Sequence, residues 1–465
     1  MYDKIPSTKT TLKNHLPMLD TKVDCLYNIL ERLFQYPDNA AEQKEAEMKS
    51  RVFFCIDMKS FFASVECAER KLNPLTTNLV VADESRGKGA ICLAVSPKMK
   101  SLGVKNRCRL FEIPTNIDYI VAKPSMRKYI KYCADIYDIY LNHIAPEDIH
   151  VYSIDEAFID ATDYIALYKT TPKTFAKRLT DEIAEKLHIP ASVGIGSNLY
   201  LAKIALDITA KHAPDHIGIL TEDTYRKTLW HHRPITDFWN VARGTATRLA
   251  NYGVYDMEGI TRMPETLLKR LFGKNYKILL DHAWGKETCQ MKDIKAYKSQ
   301  AHSVSQSQIL FENYPADKAR IALMEMTLNL CQEMMRRKVI SNSVSLFVGY
   351  SKDEIDATGG SRHMTQTTNA YSVIKDYVAD IFDSTVRNDT PIRKLGICFG
   401  NVQDESCQGY DIFTDIDAVE KEIRLEHTVL DIKDKFGRNS ILRGVDLCDG
   451  ATAQARNKLI GGHNA

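Results

Sequence analysis

The sequence predicts an α+β protein of several domains, and three observations predict it. Short apolar strands alternate with helices over residues 51–209, and two of those strands run straight into carboxylates. Residues 230–286 then show helical spacing alone. From residue 299 to residue 402, strands and helices return as a second mixed module. The chain has 465 residues, more than the roughly 250–300 at which single hydrophobic cores stop growing.

Residues 1–50 are polar and charged, with one amphipathic stretch at 23–34, and carry no recognisable chemistry. They are expected to be disordered or a peripheral helix. A strand at 51–56 leads into a helix at 62–71, which Asn73-Pro74 stops. Strands are expected at 79–82 and 90–95, separated by the basic turn Ser85-Arg86-Gly87-Lys88-Gly89. Ser96-Pro97 then opens a helix, since proline suits a first helical turn. Ile130, Cys133, Ile136, Tyr137 and Tyr140 recur at helical spacing and predict a helix over 125–144. Plain alternation through residues 150–160 would put Asp155 and Glu156 on opposite faces. A tight turn at 154–157, making a hairpin, would bring both to one side. A helix at 175–187, a strand at 192–195 and a helix at 198–210 complete this part. In the second module strands are expected at 299–311, 342–350 and 393–402, and helices at 316–338 and 371–382. The charged tail is read as extended or helical.

Composition bounds the function. The chain is 44% hydrophobic and 26% charged with a formal net charge of +2, so any grip on nucleic acid must come from local basic faces. Its 11 cysteines include no C-x-x-C pair and no zinc spacing. Cys55, Cys92 and Cys398 sit in apolar runs and read as buried thiols in a reducing compartment. No apolar run approaches the roughly 20 residues of a membrane span, and the Met-Tyr-Asp-Lys-Ile-Pro start is no signal peptide. A cytoplasmic, nucleoid-associated location, a monomer and no membrane partner are expected.

The chemistry is written in two segments. One is Phe53-Phe54-Cys55-Ile56-Asp57-Met58-Lys59-Ser60-Phe61-Phe62-Ala63-Ser64-Val65-Glu66; the other is Ile149-His150-Val151-Tyr152-Ser153-Ile154-Asp155-Glu156-Ala157-Phe158-Ile159-Asp160. A sheet could bring Asp57, Asp155 and Glu156 together. Like charges at one spot repel unless cations neutralise them, and hard oxygen ligands suit Mg²⁺. Such clusters serve phosphoryl or nucleotidyl transfer.

These segments, with Gly194-Ile195-Gly196-Ser197-Asn198, Leu201-Ala202-Lys203 and Pro391-Ile392-Arg393-Lys394-Leu395-Gly396, resemble the Y-family, or translesion, DNA polymerases. The branch is the UmuC-like one of Gram-positive bacteria, the impB/mucB/samB type, and the resemblance covers residues 50–465. It implies a right-hand polymerase. The palm would be 51–60 with 122–209, small fingers 61–121, and a helix-hairpin-helix thumb 210–291. A linker at 292–298, an α+β little finger at 299–405 and a tail at 406–465 would follow.

By that resemblance Asp57, Asp155 and Glu156, with the Met58 carbonyl, hold two Mg²⁺ ions (Mn²⁺ a possible substitute). The substrates would be a dNTP and primer–template DNA, in low-processivity synthesis past damaged bases. Ser60, Phe61 and Phe62 would face the triphosphate, with Phe62 the steric gate against a ribose 2′-hydroxyl. Lys203 would meet the phosphates. In the fingers, counting back from Leu102-Gly103-Val104-Lys105 places Ser96 and Lys100 at the aromatic and cation positions; counting forward from Gly89 puts Met99 at the cation position. Arg243 and Thr245 fall in the thumb hairpin, where Asn240 and Ala242 replace the usual glycines. Ser303, Ser305, Ser307, Arg362, His363 and Arg393 are the little-finger candidates for DNA. Gln408-Gly409-Tyr410-Asp411-Ile412-Phe413 looks like a sliding-clamp peptide built on Gln408, Ile412 and Phe413, with a recombinase or accessory damage-response protein as a further partner. The rival readings are a non-catalytic DNA-binding relative and another palm-type nucleotidyl enzyme.

Overall fold

The computed structural model describes residues 51–298, 302–351, 355–409 and 414–464. They fall into two compact units that divide at residues 299 and 300. The first begins with β1 (Phe53–Met58) and α1 (Phe61–Glu69). A small lobe follows: β2 (Leu79–Val81), β3 (Ala94–Val95), α2 (Pro97–Ser101) and β4 (Ile120–Ala122). Then come α3 (Met126–Leu141), β5 (Ile149–Val151), β6 (Glu156–Asp160), α4 (Pro172–Leu187), β7 (Ala191–Gly196), α5 (Leu199–Ile204) and β8 (Ile217–Leu220). Short helices from Glu222–Leu229 to Met291–Ala296, among them α6 (Arg243–Ala250), make the helical block the sequence predicts.

The main sheet has the order β5-β6-β1-β7-β8, so β1 lies at its centre. Central strands are covered on both faces and read as continuous apolar runs, which is why Phe-Phe-Cys-Ile precedes Asp57. Phe54, Ile56 and Met58 pack with Tyr137 of α3 and Phe175 of α4. Phe53 and Cys55 point the other way, to Leu199, Ala202 and Leu206. The small sheet, β3-β2-β4, pairs β2 parallel to β4. Its strand expected at 90–95 is regular only at Ala94–Val95; before that, Ile91 makes a single bridge to Arg109.

The second unit contains β9 (Ser303–Tyr314), α7 (Ala316–Arg337), β10 (Val339–Tyr350), β11 (Thr358–Thr368), α8 (Tyr371–Thr385), β12 (Ile392–Gly400) and α9 (Ile416–Phe436). Its sheet is antiparallel, in the order β11-β10-β12-β9. Residues such as Val344, Val348, Leu395 and Phe399 pack against α7 and α8 on one face. β11 was not expected from the sequence, because Thr-Gly-Gly-Ser-Arg-His-Met-Thr-Gln-Thr-Thr lacks apolar alternation and buries only Met364 and Thr368.

The charged C-terminal stretch is folded onto this unit through buried polar groups. Glu325 of α7 accepts the Thr452 N–H at 2.7 Å and its hydroxyl at 2.9 Å. Glu426 of α9 accepts from Gln332 at 2.7 Å and is paired with Arg443. Among the described residues no helix is long and apolar enough to cross a membrane.

Candidate active site

Two local devices bring the acids to one edge of the main sheet. β1 pairs antiparallel with β6 so that Asp57 stands opposite Glu156, and directly opposed residues share a face. The turn between β5 and β6 is closed by the Tyr152 and Ser153 N–H groups, which donate to the Glu156 carbonyl at 2.9 and 3.1 Å. That turn removes Asp155 from strand alternation, and the Met58 N–H donates to its carbonyl at 2.9 Å. The Ser153 hydroxyl donates to Asp155 Oδ1 at 2.6 Å. The hairpin expected at 154–157 is present, closing around residues 152–155.

Burial first, then the charges of Asp155 and Glu156, push the Asp57 carboxyl up from 3.8 to about 8. Among the described residues no donor bonds that carboxyl. Glu156 is raised by burial too, an effect reduced by Lys203 and the Cys55 thiol. The Lys203 ammonium lies 2.9 Å from both Glu156 oxygens and 3.1 Å from Asp207 Oδ1. The Cys55 S–H donates to Glu156 Oε1 at 3.0 Å. Burial opposes the Lys203 charge, but the surrounding Cys55, Glu156 and Asp207 outweigh it and hold the ammonium protonated.

α5 reaches so far because Asn198 caps it, accepting the Leu201 N–H at 2.8 Å, and because it continues through a wider π-type turn, Ala205–Thr209, that carries Asp207. Such turns recur at functional sites.

The donor set suits a divalent cation: hard oxygens, concentrated negative charge and an Asp57 carboxyl without a donor. Among the described residues no three such side chains already close around one point, and in this structure Lys203 neutralises Glu156.

The impB/mucB/samB family matches residues 56–207, and its C-terminal domain matches residues 301–412. UvrX of Bacillus subtilis, named for UV-damage repair, is 31% identical over 421 residues, covering 88% of this chain and 97% of the relative. This chain belongs to the impB/mucB/samB family. DNA polymerase IV 2 of the same organism is 29% identical over 90% of this chain and 99% of its own length. A solved Y-family DNA polymerase chimera built from Dbh and Dpo4 matches with a TM-score of 0.57 at 19% identity, over 76% of this chain and 99% of its own. The impB/mucB/samB chain thus has the Y-family polymerase fold.

Around the acids, Phe61 is buried in the core while Phe62 is half-buried and stacks on Tyr129, with centroids 4.4 Å apart and planes 15° from parallel. The Tyr129 hydroxyl donates to Glu66 Oε1 at 3.0 Å, and Arg70 and Lys128 hold Glu66 in turn. Sixty-odd residues separate the two rings, so this support has no local signal in the sequence. Ser60 takes the left-handed conformation, φ 49°, and its hydroxyl is buried without a partner.

Lys100 is exposed on α2 whereas Met99 is buried; partial desolvation lowers the pKa of the Lys100 ammonium, and the charges of Asp57 and Asp155 oppose that. Ser96 has a different job from the one expected. It is buried, caps α2 by accepting the Met99 N–H at 3.2 Å, and donates to the Thr77 carbonyl at 2.7 Å. Nothing in its hydroxyl is left for a nucleotide.

Arg243 and Thr245 start α6, with Arg243 exposed. Asn240 adopts φ 69°, so asparagine fills the left-handed position that glycine takes elsewhere.

In the second unit, Ser303, Ser305 and Ser307 lie on the open face of the sheet, continued by Gly400, Cys398 and Gly396 of β12 and Ser343, Ser345 and Phe347 of β10. His363 joins the Ser343 row. Arg362 does not: it stands opposite core residue Val344, and its guanidinium pairs with Asp380 of α8 at 3.2 Å. The one-residue alternation of a strand sends it to the helical side. Arg393 sits at a bulge between Ile392 and Lys394. Gln408 has a buried amide nitrogen without a partner; Ile412 and Phe413 lie outside the described residues.

The raised Asp57 carboxyl makes a pH prediction. A carboxyl raised in the folded state contributes stability fully present below its unfolded pKa and lost as pH rises through about 8. In EDTA near pH 9, Asp57→Asn should therefore stabilise the chain, on the order of 2 kcal/mol. The gap should close as the pH falls toward about 4 and when Mg²⁺ is added. Thermal melts over that range check it; coincident curves near the alkaline end would contradict the crowding of charge at Asp57.

Proposed function

We propose that this protein is a template-directed DNA polymerase of low processivity that adds deoxynucleotides to a primer 3′-hydroxyl, copying past damaged bases. The observation that carries the reading is the convergence of Asp57, Asp155 and Glu156 at one edge of a central sheet, in a chain with the Y-family fold. Relatives named DNA polymerase IV cover nearly all of their own length with it.

Asp57, Asp155 and Glu156, with the Met58 carbonyl, would hold two divalent ions, Mg²⁺ in the first instance. When bound, these supply Lewis-acid activation of the hydroxyl and charge neutralisation at the triphosphate. Lys203 and Lys100 bring positive charge to the phosphates, and the unpartnered Ser60 hydroxyl can donate to an oxygen there. The Phe62 ring, held flat by Tyr129, closes the space a 2′-hydroxyl would need. The open sheet face of the second unit, rich in Ser and Gly along Ser303–Ser307 and β12, lets a sugar–phosphate backbone come close to the main chain there, with a steep salt dependence. A sliding clamp contacting the Gln408 segment is a further expected partner.

The test is primer extension by the purified chain with Mg²⁺ and four dNTPs, on undamaged and abasic templates, beside Glu156→Ala. Template-dependent extension by wild type alone supports the reading. Tight primer–template binding with no extension would favour a DNA-binding protein, and product without template another palm-type enzyme.

Phe62→Ala should raise ribonucleotide incorporation on the order of 10²-fold, and Tyr129→Ala by less, because it frees the ring without removing it. If Phe61→Ala relaxed sugar choice and Phe62→Ala did not, the gate would lie one residue earlier.

A further inference from the structure

Cys92 and Cys108 face each other in the small lobe. The antiparallel bridge between Ile91 and Arg109 sets the register, so the next residues, Cys92 and Cys108, stand opposite one another. The Cys92 N–H donates to the Cys108 carbonyl at 2.8 Å, and the Cys92 carbonyl accepts from Arg107 at 3.2 Å. Only one bond joins the pair, since the return bond comes from Arg107 rather than Cys108, but the two thiols themselves lie within hydrogen-bond reach of each other, and a disulfide asks no more of the backbone than Cα atoms roughly 4.4–6.8 Å apart. Both thiols are free. Cys92 is buried beside Met99, Val104 and Ile113, whereas Cys108 is partly exposed. Burial first, then Cys108 beside it, pushes the Cys92 thiol up to about 12. The sequence pattern gives no hint of the pair, since its members are sixteen residues apart with β3 and α2 between them.

We propose that Cys92 and Cys108 are a peroxide-responsive dithiol that closes to a disulfide within this lobe. The exposed partner reacts first: Cys108 thiolate attacks a peroxide oxygen, the S–O bond forms, the O–O bond breaks, and hydroxide leaves to become water with the thiol's proton. The Cys92 sulfur then attacks the Cys108 sulfenic sulfur. The S–S bond forms, the S–O bond breaks, and the Cys92 proton departs with the hydroxide as a second water. Two thiols lose two electrons and one peroxide becomes two waters. The bond would tie the strand entering α2, which carries Lys100, to the loop before residue 110, and it touches none of the carboxylates.

The experiment treats the reduced full-length chain with a small excess of hydrogen peroxide, quenches with N-ethylmaleimide, and maps peptides by mass spectrometry. The expected result is a Cys92–Cys108 cross-link within one chain, reversed by dithiothreitol, with two of the 11 thiols lost to alkylation. Cys108→Ser should keep Cys92 alkylatable and show no cross-link. That variant carries the control because its position is partly exposed, whereas Cys92→Ser would bury a hydroxyl. The proposal is overturned if Cys108 accumulates as a sulfinic acid with Cys92 still alkylatable, if either thiol links to another cysteine such as Cys407 or Cys448, or if both stay reduced. None of these readouts depends on polymerase activity.

Discussion

Asp155→Ala is expected to lower primer extension by at least about 10³-fold while primer–template affinity stays within about twofold. The substitution should spare the fold, because what the turn needs from residue 155 is its main chain: the carbonyl that accepts the Met58 N–H at 2.9 Å. Only the Ser153 hydroxyl loses a side-chain partner, the one at 2.6 Å. Alanine also removes one of the charges that raise Asp57, so the metal-free variant should melt no lower than wild type. On the proposed reading DNA affinity is expected to rest elsewhere, on exposed groups such as Arg243 and on the open Ser- and Gly-rich sheet face. Extension assays and anisotropy titrations with labelled primer–template, at one fixed salt, check both halves. Extension near the wild-type rate would sink the assignment of the acids, and a matched loss of binding and extension would show that Asp155 serves DNA contact instead.

How far the sequence carried depended on how local the cause was. Most strands and helices through residue 210 were legible because each element has its own period or start signal, as Ser96-Pro97 starts α2, but the short strands β4 and β8 were not expected. The three acids were legible because apolar strands run directly into them. Properties created by packing were not. Arg362 reads as a free cation, yet its place opposite Val344 hands it to Asp380. Ser96 reads as a polar residue near phosphate, yet the cap and the Thr77 carbonyl consume its hydroxyl. β11 was hidden because a strand at the edge of a sheet with one open face needs few apolar residues. The C-terminal stretch was read as charged and extended or helical, and α9 is helical, but its anchoring to α7 through Glu325 and Glu426 cannot be told from solvated acid by composition. The Cys55 thiol beneath Glu156 and the Tyr129 ring beneath Phe62 likewise come from distant segments.

Gly194→Ala is expected to destabilise the first unit by at least about 4 kcal/mol, or to prevent it folding. Gly194-Ile195-Gly196 falls at the strand expected at 192–195, and neither glycine is there for a turn. Both lie within β7, and a Cβ built on Gly194 would sit 2.0 Å from the Ala202 carbonyl oxygen and 2.3 Å from the Leu206 nitrogen. On Gly196 it would lie 2.1 Å from the Ala202 nitrogen. Gly218, paired with Gly194 across β7 and β8, meets the Ala205 carbonyl oxygen at 2.4 Å. Three glycines therefore form a floor on which α5 and its π-type turn rest main chain against main chain. No side chain can swing aside to admit a methyl group, so the helix itself must lift. Lifting it would also carry Lys203 away from Glu156 and Asp207, coupling the fold to the charge balance among the acids. Gly244→Ala is the matched control: it sits on α6 with nothing within 4 Å of a new Cβ, and alanine there should be neutral or stabilise by up to about 1 kcal/mol. Limited proteolysis and thermal melting of the two variants decide the matter. A Gly194→Ala protein that melts with wild type would mean that the helix has room to move, and that Lys203 is held at the acids by its ion pairs rather than by the close packing beneath it.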